Sequence, residues 1–164
     1  MRSRASIAFA TILVGSLAAV ATALVHQYAF DMLPCARCVL QRLIFLAIAL
    51  VSALALSLAS RPLRAALAAL IALLGVGGVA SAWYQHVVAA DFSTCRLSLA
   101  QRIVGFTLHL DTLLPSVFAV RIGCAAGATT LLGIPYEFWS LTAFVLLVVA
   151  ACIATRRWRT SDLR

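Results

Sequence analysis

Lysine is missing from this chain altogether, and acidic residues are nearly so: thirteen arginines stand against five aspartates and glutamates in 164 residues. Charged side chains make up only 11% of the sequence and hydrophobic ones 64%, with a mean hydropathy of +1.06. A water-soluble domain of this size cannot cover its surface with so few charges, so that class is excluded. Charge is also absent in blocks. Ala5 to Val25, Leu43 to Ser60, Ala65 to Gln85 and Phe138 to Thr155 hold no side chain charged at neutral pH. Each block is long enough to cross about 30 Å of hydrocarbon at about 1.5 Å per helical residue. The blocks lack the period-2 alternation of barrel strands, and backbone groups in lipid must be satisfied internally, so each reads as a helix. The expected fold is all-α: a four-transmembrane-helix bundle forming one integral membrane domain over residues 1–164, with two outer loops over about 26–42 and 86–137.

The start, Met1-Arg2-Ser3-Arg4 before an apolar run and Ala21-Thr22-Ala23, imitates a signal peptide. Its apolar run exceeds the roughly 7 to 15 residues of a signal core, and three further spans follow, so it is read as a retained first span. Orientation comes from the arginines. Arg2, Arg4, Arg61, Arg64, Arg156, Arg157, Arg159 and Arg164 fall on one face of a four-span chain, which the positive-inside rule makes cytoplasmic. The opposite face sets Arg37, Arg42, Arg96, Arg102 and Arg121 against Asp31, Asp91, Asp111 and Glu137, a net of +1. The net charge of +8 therefore describes topology and contact with anionic lipid, and gives no reason to invoke nucleic acid.

Four of the five cysteines, Cys35, Cys38, Cys95 and Cys124, fall in the outer loops, and Cys152 lies inside a span. That partition suits an oxidising compartment, and two disulfides are expected, Cys35 with Cys38 and Cys95 with Cys124. The C-x-x-C ring has little loop entropy to gain and suits redox cycling. The second pair closes a loop of about thirty residues, and spacing leaves it as either staple or catalyst. Zinc held by all four is the rival reading, against which stand the lack of a second close C-x-x-C or H-x-x-x-H and the oxidising compartment. Val39 stands where a c-type haem needs histidine. Arg42 lies one turn beyond Cys38 at the start of an uncharged span, a costly place for a cation. It can stabilise a Cys38 thiolate or a reduced, anionic quinone, or it can snorkel at a helix end. Arg37, between the cysteines, is read as a loop residue that can face water.

The order of these features resembles the bacterial disulfide bond formation protein B (DsbB) family of inner-membrane thiol:quinone oxidoreductases. The likeness runs through Leu33-Pro34-Cys35-Ala36-Arg37-Cys38 with Gln41-Arg42, Trp83-Tyr84-Gln85, Phe92-Ser93-Thr94-Cys95, Leu114-Pro115-Ser116-Val117-Phe118, Gly123-Cys124-Ala125, and Leu132-Gly133-Ile134-Pro135 before Trp139-Ser140-Leu141. The chain departs from the family pattern at Ala80-Ser81 and at Gly123. The resemblance implies a multi-pass inner-membrane enzyme with both termini cytoplasmic. Its Cys95/Cys124 disulfide would oxidise a periplasmic thioredoxin-like (DsbA-like) dithiol oxidase, with Cys95 in the mixed disulfide. Cys35/Cys38 would reoxidise that pair, and ubiquinone or menaquinone would reoxidise Cys35/Cys38 through Cys38 with Arg42. A paralogue serving a specialised oxidase is the nearest alternative, and a structural four-cysteine membrane protein a more distant one.

His26, His86 and His109 have no metal-triad spacing and are read as interfacial or hydrogen-bonded, with His86 and Gln85 as further quinone-site candidates. Gly75, Gly77 and Gly78 are read as close-packing positions. A surface helix is expected over Leu97 to Phe106.

Overall fold

The computed structural model describes residues 4–58, 60–89, 110–121 and 130–161. Cys95, Cys124, His109 and the segment Leu97 to Phe106 lie outside these residues. Four long helices dominate: α1 (Arg4–Ala29), α2 (Ala36–Ser57), α3 (Arg61–Ala89) and, last in the chain, α6 (Tyr136–Ser161). Each contains a stretch long and apolar enough to cross a membrane, Ser6–Ala29, Ala36–Ser57, Arg61–Val87 and Tyr136–Thr155. Among the described residues between α3 and α6 are two single turns, α4 (Leu110–Leu113) and α5 (Pro115–Phe118), and a hairpin of β1 (Thr130–Leu131) and β2 (Ile134–Pro135).

Every helix overruns its apolar block at the end that carries the site, while at its other end α2 stops at Ser57, short of the expected Ser60. Loop one, expected over 26–42, shrinks to residues 30–35, because α1 continues to Ala29 and α2 begins at Ala36. At the outer end α3 reaches Ala89 and α6 starts at Tyr136, two residues before its apolar block. Hydropathy marks where lipid demands apolar side chains, while helical hydrogen bonding runs on through arginine and glutamine, which are good helix formers. The overrun turns hold the polar residues of the site.

The long helices pack as a closed ring, α1 on α2, α2 on α3, α3 on α6 and α6 on α1. Their shared core includes Phe9, Ile12, Phe45, Ile48, Ile71 and Phe144, so α1 is an integral part of the bundle. Phe45 and Phe144 stack at 4.0 Å between ring centroids and 4° between planes. At Gly75 a Cβ would come within 2.5 Å of Val148, and at Gly78 it would fall against the Phe144 ring, whereas at Gly77 it would meet nothing. The expected close-packing role thus holds for Gly75 and Gly78, where α3 lies against α6. At the other end of the bundle, Arg64 caps α2. Its Nε donates to Leu58 O at 2.7 Å and its Nη2 to Leu56 O at 3.3 Å, filling carbonyls the helix end leaves open.

Candidate redox site

The site begins with the N-terminus of α2. Cys35 is its N-cap, with extended backbone angles, and its sulfur accepts the Cys38 amide N–H at 3.5 Å. One turn of helix then stacks the two side chains on the same face, so the sulfurs stand 3.0 Å apart as free thiols. The expected Cys35–Cys38 disulfide is not formed in this structure, which brings the two sulfurs together as neighbours. The Cys38 thiol hydrogen bond, helped by backbone N–H groups, pulls the Cys35 thiol down to about 6 although burial pushes the other way. Cys35 is fully buried, while Cys38 is partly open and faces a cavity.

Arg42 is one turn deeper, on the second turn of α2 and only 5% exposed. Snorkelling is excluded by where its guanidinium goes. Nη1 donates to Gln27 Oε1 at 2.6 Å and to Val117 O at 3.0 Å, and Nη2 donates to Ala23 O at 3.2 Å. All these acceptors are neutral, and Nε is buried with no partner among the described residues. A buried cation held by dipoles alone is costly and keeps its attraction for an anion. Arg37 is not a loop residue: it lies in the first turn of α2, with its guanidinium 3.9 Å from the centre of the Tyr84 ring.

Two glutamines connect α2 to α3. Gln41 Nε2 donates to Gln85 Oε1 at 2.9 Å, and Gln85 Nε2 donates to Cys38 Sγ at 3.6 Å. Gln85 thus meets the redox pair through sulfur. His86, the other candidate on α3, turns away: its Nδ1 is 2.9 Å from Glu137 Oε1, its ring lies 4.8 Å from Phe138, and it does not line the cavity.

Residues 110–121 of the second outer loop are pinned beside the start of α2. Ser116 O accepts from Tyr28 Oη at 2.7 Å and Gln27 Nε2 at 3.3 Å, Arg121 N donates to Pro34 O at 3.1 Å, and Phe118 packs against Val39. These contacts explain the Leu114-Pro115-Ser116-Val117-Phe118 motif as a docking strap.

A cavity of about 240 Å³ lies between α1, α2 and α6. Cys38, Gln41, Arg42 and Phe45 form its α2 wall, Ala19, Thr22, Ala23 and His26 its α1 wall, Tyr136, Trp139, Ser140 and Ala143 its α6 wall, and Leu131 of the hairpin completes it. Thr22 and Trp139 are exposed, so the space opens to the outside of the bundle. Gln27 and His26 had escaped assignment to the site. The sequence signal for both was position alone, in the last two turns of α1, and their partners come from distant segments.

The chain matches the family model "Disulfide bond formation protein DsbB" over residues 4–154. It is 35% identical over 144 residues to "Disulfide bond formation protein B 1" of Pseudomonas syringae pv. syringae (strain B728a), covering 86% of this chain and 85% of that one. It is 31% identical over 158 residues to "Disulfide bond formation protein B" of Cupriavidus metallidurans, covering 96% of both. The protein from Burkholderia pseudomallei (strain 1106a) that bears the latter name is 33% identical over 144 residues, covering 87% of this chain and 85% of that one. A capped C-x-x-C at the end of a four-helix membrane bundle, matched over nearly its full length, makes this chain a disulfide-forming oxidoreductase of the disulfide bond formation protein B family.

Proposed function

We propose that this protein reoxidises a periplasmic thioredoxin-like dithiol oxidase and passes the electrons to a membrane quinone, from the bacterial inner membrane with both termini cytoplasmic. The observation that carries this reading is the shared cavity: one sulfur of the redox pair and a buried arginine with no carboxylate partner among the described residues line the same apolar, outward-opening space. Phe45, Trp139, Leu131 and Ala143 suit the face of a quinone ring, and Arg42 suits its carbonyl oxygens. Ubiquinone or menaquinone, when bound, would supply an acceptor of two electrons and two protons. Cys38 faces it, Gln85 donates to that sulfur, and Arg42 lines the space beside it.

Cys35 does not line that cavity. Arg121, tied to Pro34 O, stands three residues before Cys124, at most about 11 Å of extended chain. We assign the Cys95/Cys124 disulfide as the exchange partner of the Cys35/Cys38 pair. The direction of flow follows potential: a partner near roughly −120 mV is regenerated only by a stronger oxidant, and each 30 mV supplies about 1.4 kcal/mol.

Cys38→Ser tests the relay. With a reduced thioredoxin-like oxidase and excess quinone, the variant should take one stoichiometric load of electrons into Cys95/Cys124 and then stop. Continued turnover in that variant would refute the reading.

A further inference from the structure

We propose that His26 is a proton donor of the redox site, delivering to the cavity the one proton that the Cys35/Cys38 pair does not supply. The inference rests on the quinone reading of the cavity and adds to it the source of a proton. Proton accounting raises the need. With Cys35 down to about 6, the reduced pair at neutral pH is one thiolate and one thiol. Forming the S–S bond releases two electrons and the single remaining proton. An acceptor that takes up two electrons and two protons is then one proton short.

That proton has to come from a group lining the cavity. Arg42 holds its proton too tightly to give it up at physiological pH. The phenol of Tyr136 and the hydroxyls of Thr22 and Ser140 are too weak as acids to give up a proton at neutral pH, and the Cys38 proton is already counted. Imidazole is the usual general acid of proton-transfer sites, and His26 brings an imidazole to the lining.

Its setting favours transfer over a structural role. Nδ1 is buried with no hydrogen-bond partner among the described residues, so none of them holds that nitrogen in a fixed protonation state. Ring contacts hold it in place, Tyr136 edge-on at 5.6 Å and Phe30 at 5.6 Å. The side chain is half-buried in the last turn of α1, so it can be recharged from the outer aqueous side. The ionisable groups sharing the cavity with it are Cys38 and Arg42 on α2 and Tyr136 on α6. None of these replaces it near pH 7.

The test uses the full chain in nanodiscs with decylubiquinone as probe. Oxidation of the pre-reduced His26→Gln protein should slow about 100-fold, lose the near-neutral step of its pH profile, and recover in part with added imidazole. In an otherwise His-free oxidised protein, the 15N NMR titration midpoint of His26 should move by at least about half a pH unit when decylubiquinone is added, a reading that needs no turnover. A wild-type rate and pH profile in His26→Gln, or an unmoved midpoint, overturns the proposal. Quenching of Trp139 fluorescence by decylubiquinone separates the two readings: quenching with a wild-type His26→Gln rate leaves the quinone site standing, while no quenching removes both. Rescue by imidazole cannot come from a misfolded variant, so slowing without any rescue also counts against the donor role.

Discussion

Cysteine 35 combines two roles in one atom: its sulfur caps α2 and shares a hydrogen bond with the Cys38 thiol. Those hydrogen bonds pull its pKa from 9.0 down to about 6, which fixes a sign. A depressed value means the thiolate stabilises the reduced protein above pH 9, and this contribution drains away as the pH falls through the window from about 9 to about 6. In reduced protein with Cys95, Cys124 and Cys152 replaced by alanine, ultraviolet thiolate absorbance should titrate near pH 6. Cys38→Ala should move that midpoint up. A midpoint above about 8 with Cys38 in place would show that the hydrogen-bonded thiolate does not form. At this scale the sequence is legible wherever a residue's chemistry depends on near neighbours, as for Cys35, Cys38 and Arg42 on adjacent turns. It is silent for Gln27, whose partners Arg42 and Ser116 lie 15 and 89 positions away. It is equally silent for His26, whose place in the cavity is set by the closing of α6 on α1.

Helices were legible as apolar blocks, and their ends were not, because the polar turns at the outer ends continue the hydrogen-bond ladder without satisfying lipid. The glycines of α3 show the same division. The sequence marks Gly75, Gly77 and Gly78 alike, and only the packing of α6 separates them. Gly78→Ala has to push the Phe144 ring, which is fully buried and stacked on Phe45, so relief by rotation is closed. A loss of about 1–3 kcal/mol is expected from overpacking, against a gain of up to about 1 kcal/mol from helix propensity. Gly77→Ala meets nothing and keeps only the gain. Equilibrium unfolding in mixed detergent micelles should therefore order the proteins Gly77→Ala, wild type, Gly78→Ala from most to least stable. If Gly78→Ala unfolds no more easily than wild type, α3 and α6 are not packed as closely as these contacts require.

The molecule as a whole is polarised along its helix axes. The outer end, where α1 and α3 finish and α2 and α6 begin, gathers the cysteine pair, Arg42, the glutamines and the strap, while the opposite end holds Arg61 and Arg64 and the capped terminus of α2. The arginine count predicts a direction without any knowledge of partners, since it depends only on which side of a span a residue falls. The proposed function needs the same direction: in a reducing compartment the capped pair would stay a dithiol, and no disulfide could be exported from it. Reporter domains fused after Arg64 and after Ser161 should therefore behave as cytoplasmic, and one fused after Ala89 as periplasmic. The fusion after Ala89 is the decisive one, because it follows the end of α3 on which Gln85 meets Cys38. A cytoplasmic signal there would place the redox pair on the reducing side and overturn both the orientation and the relay built on it.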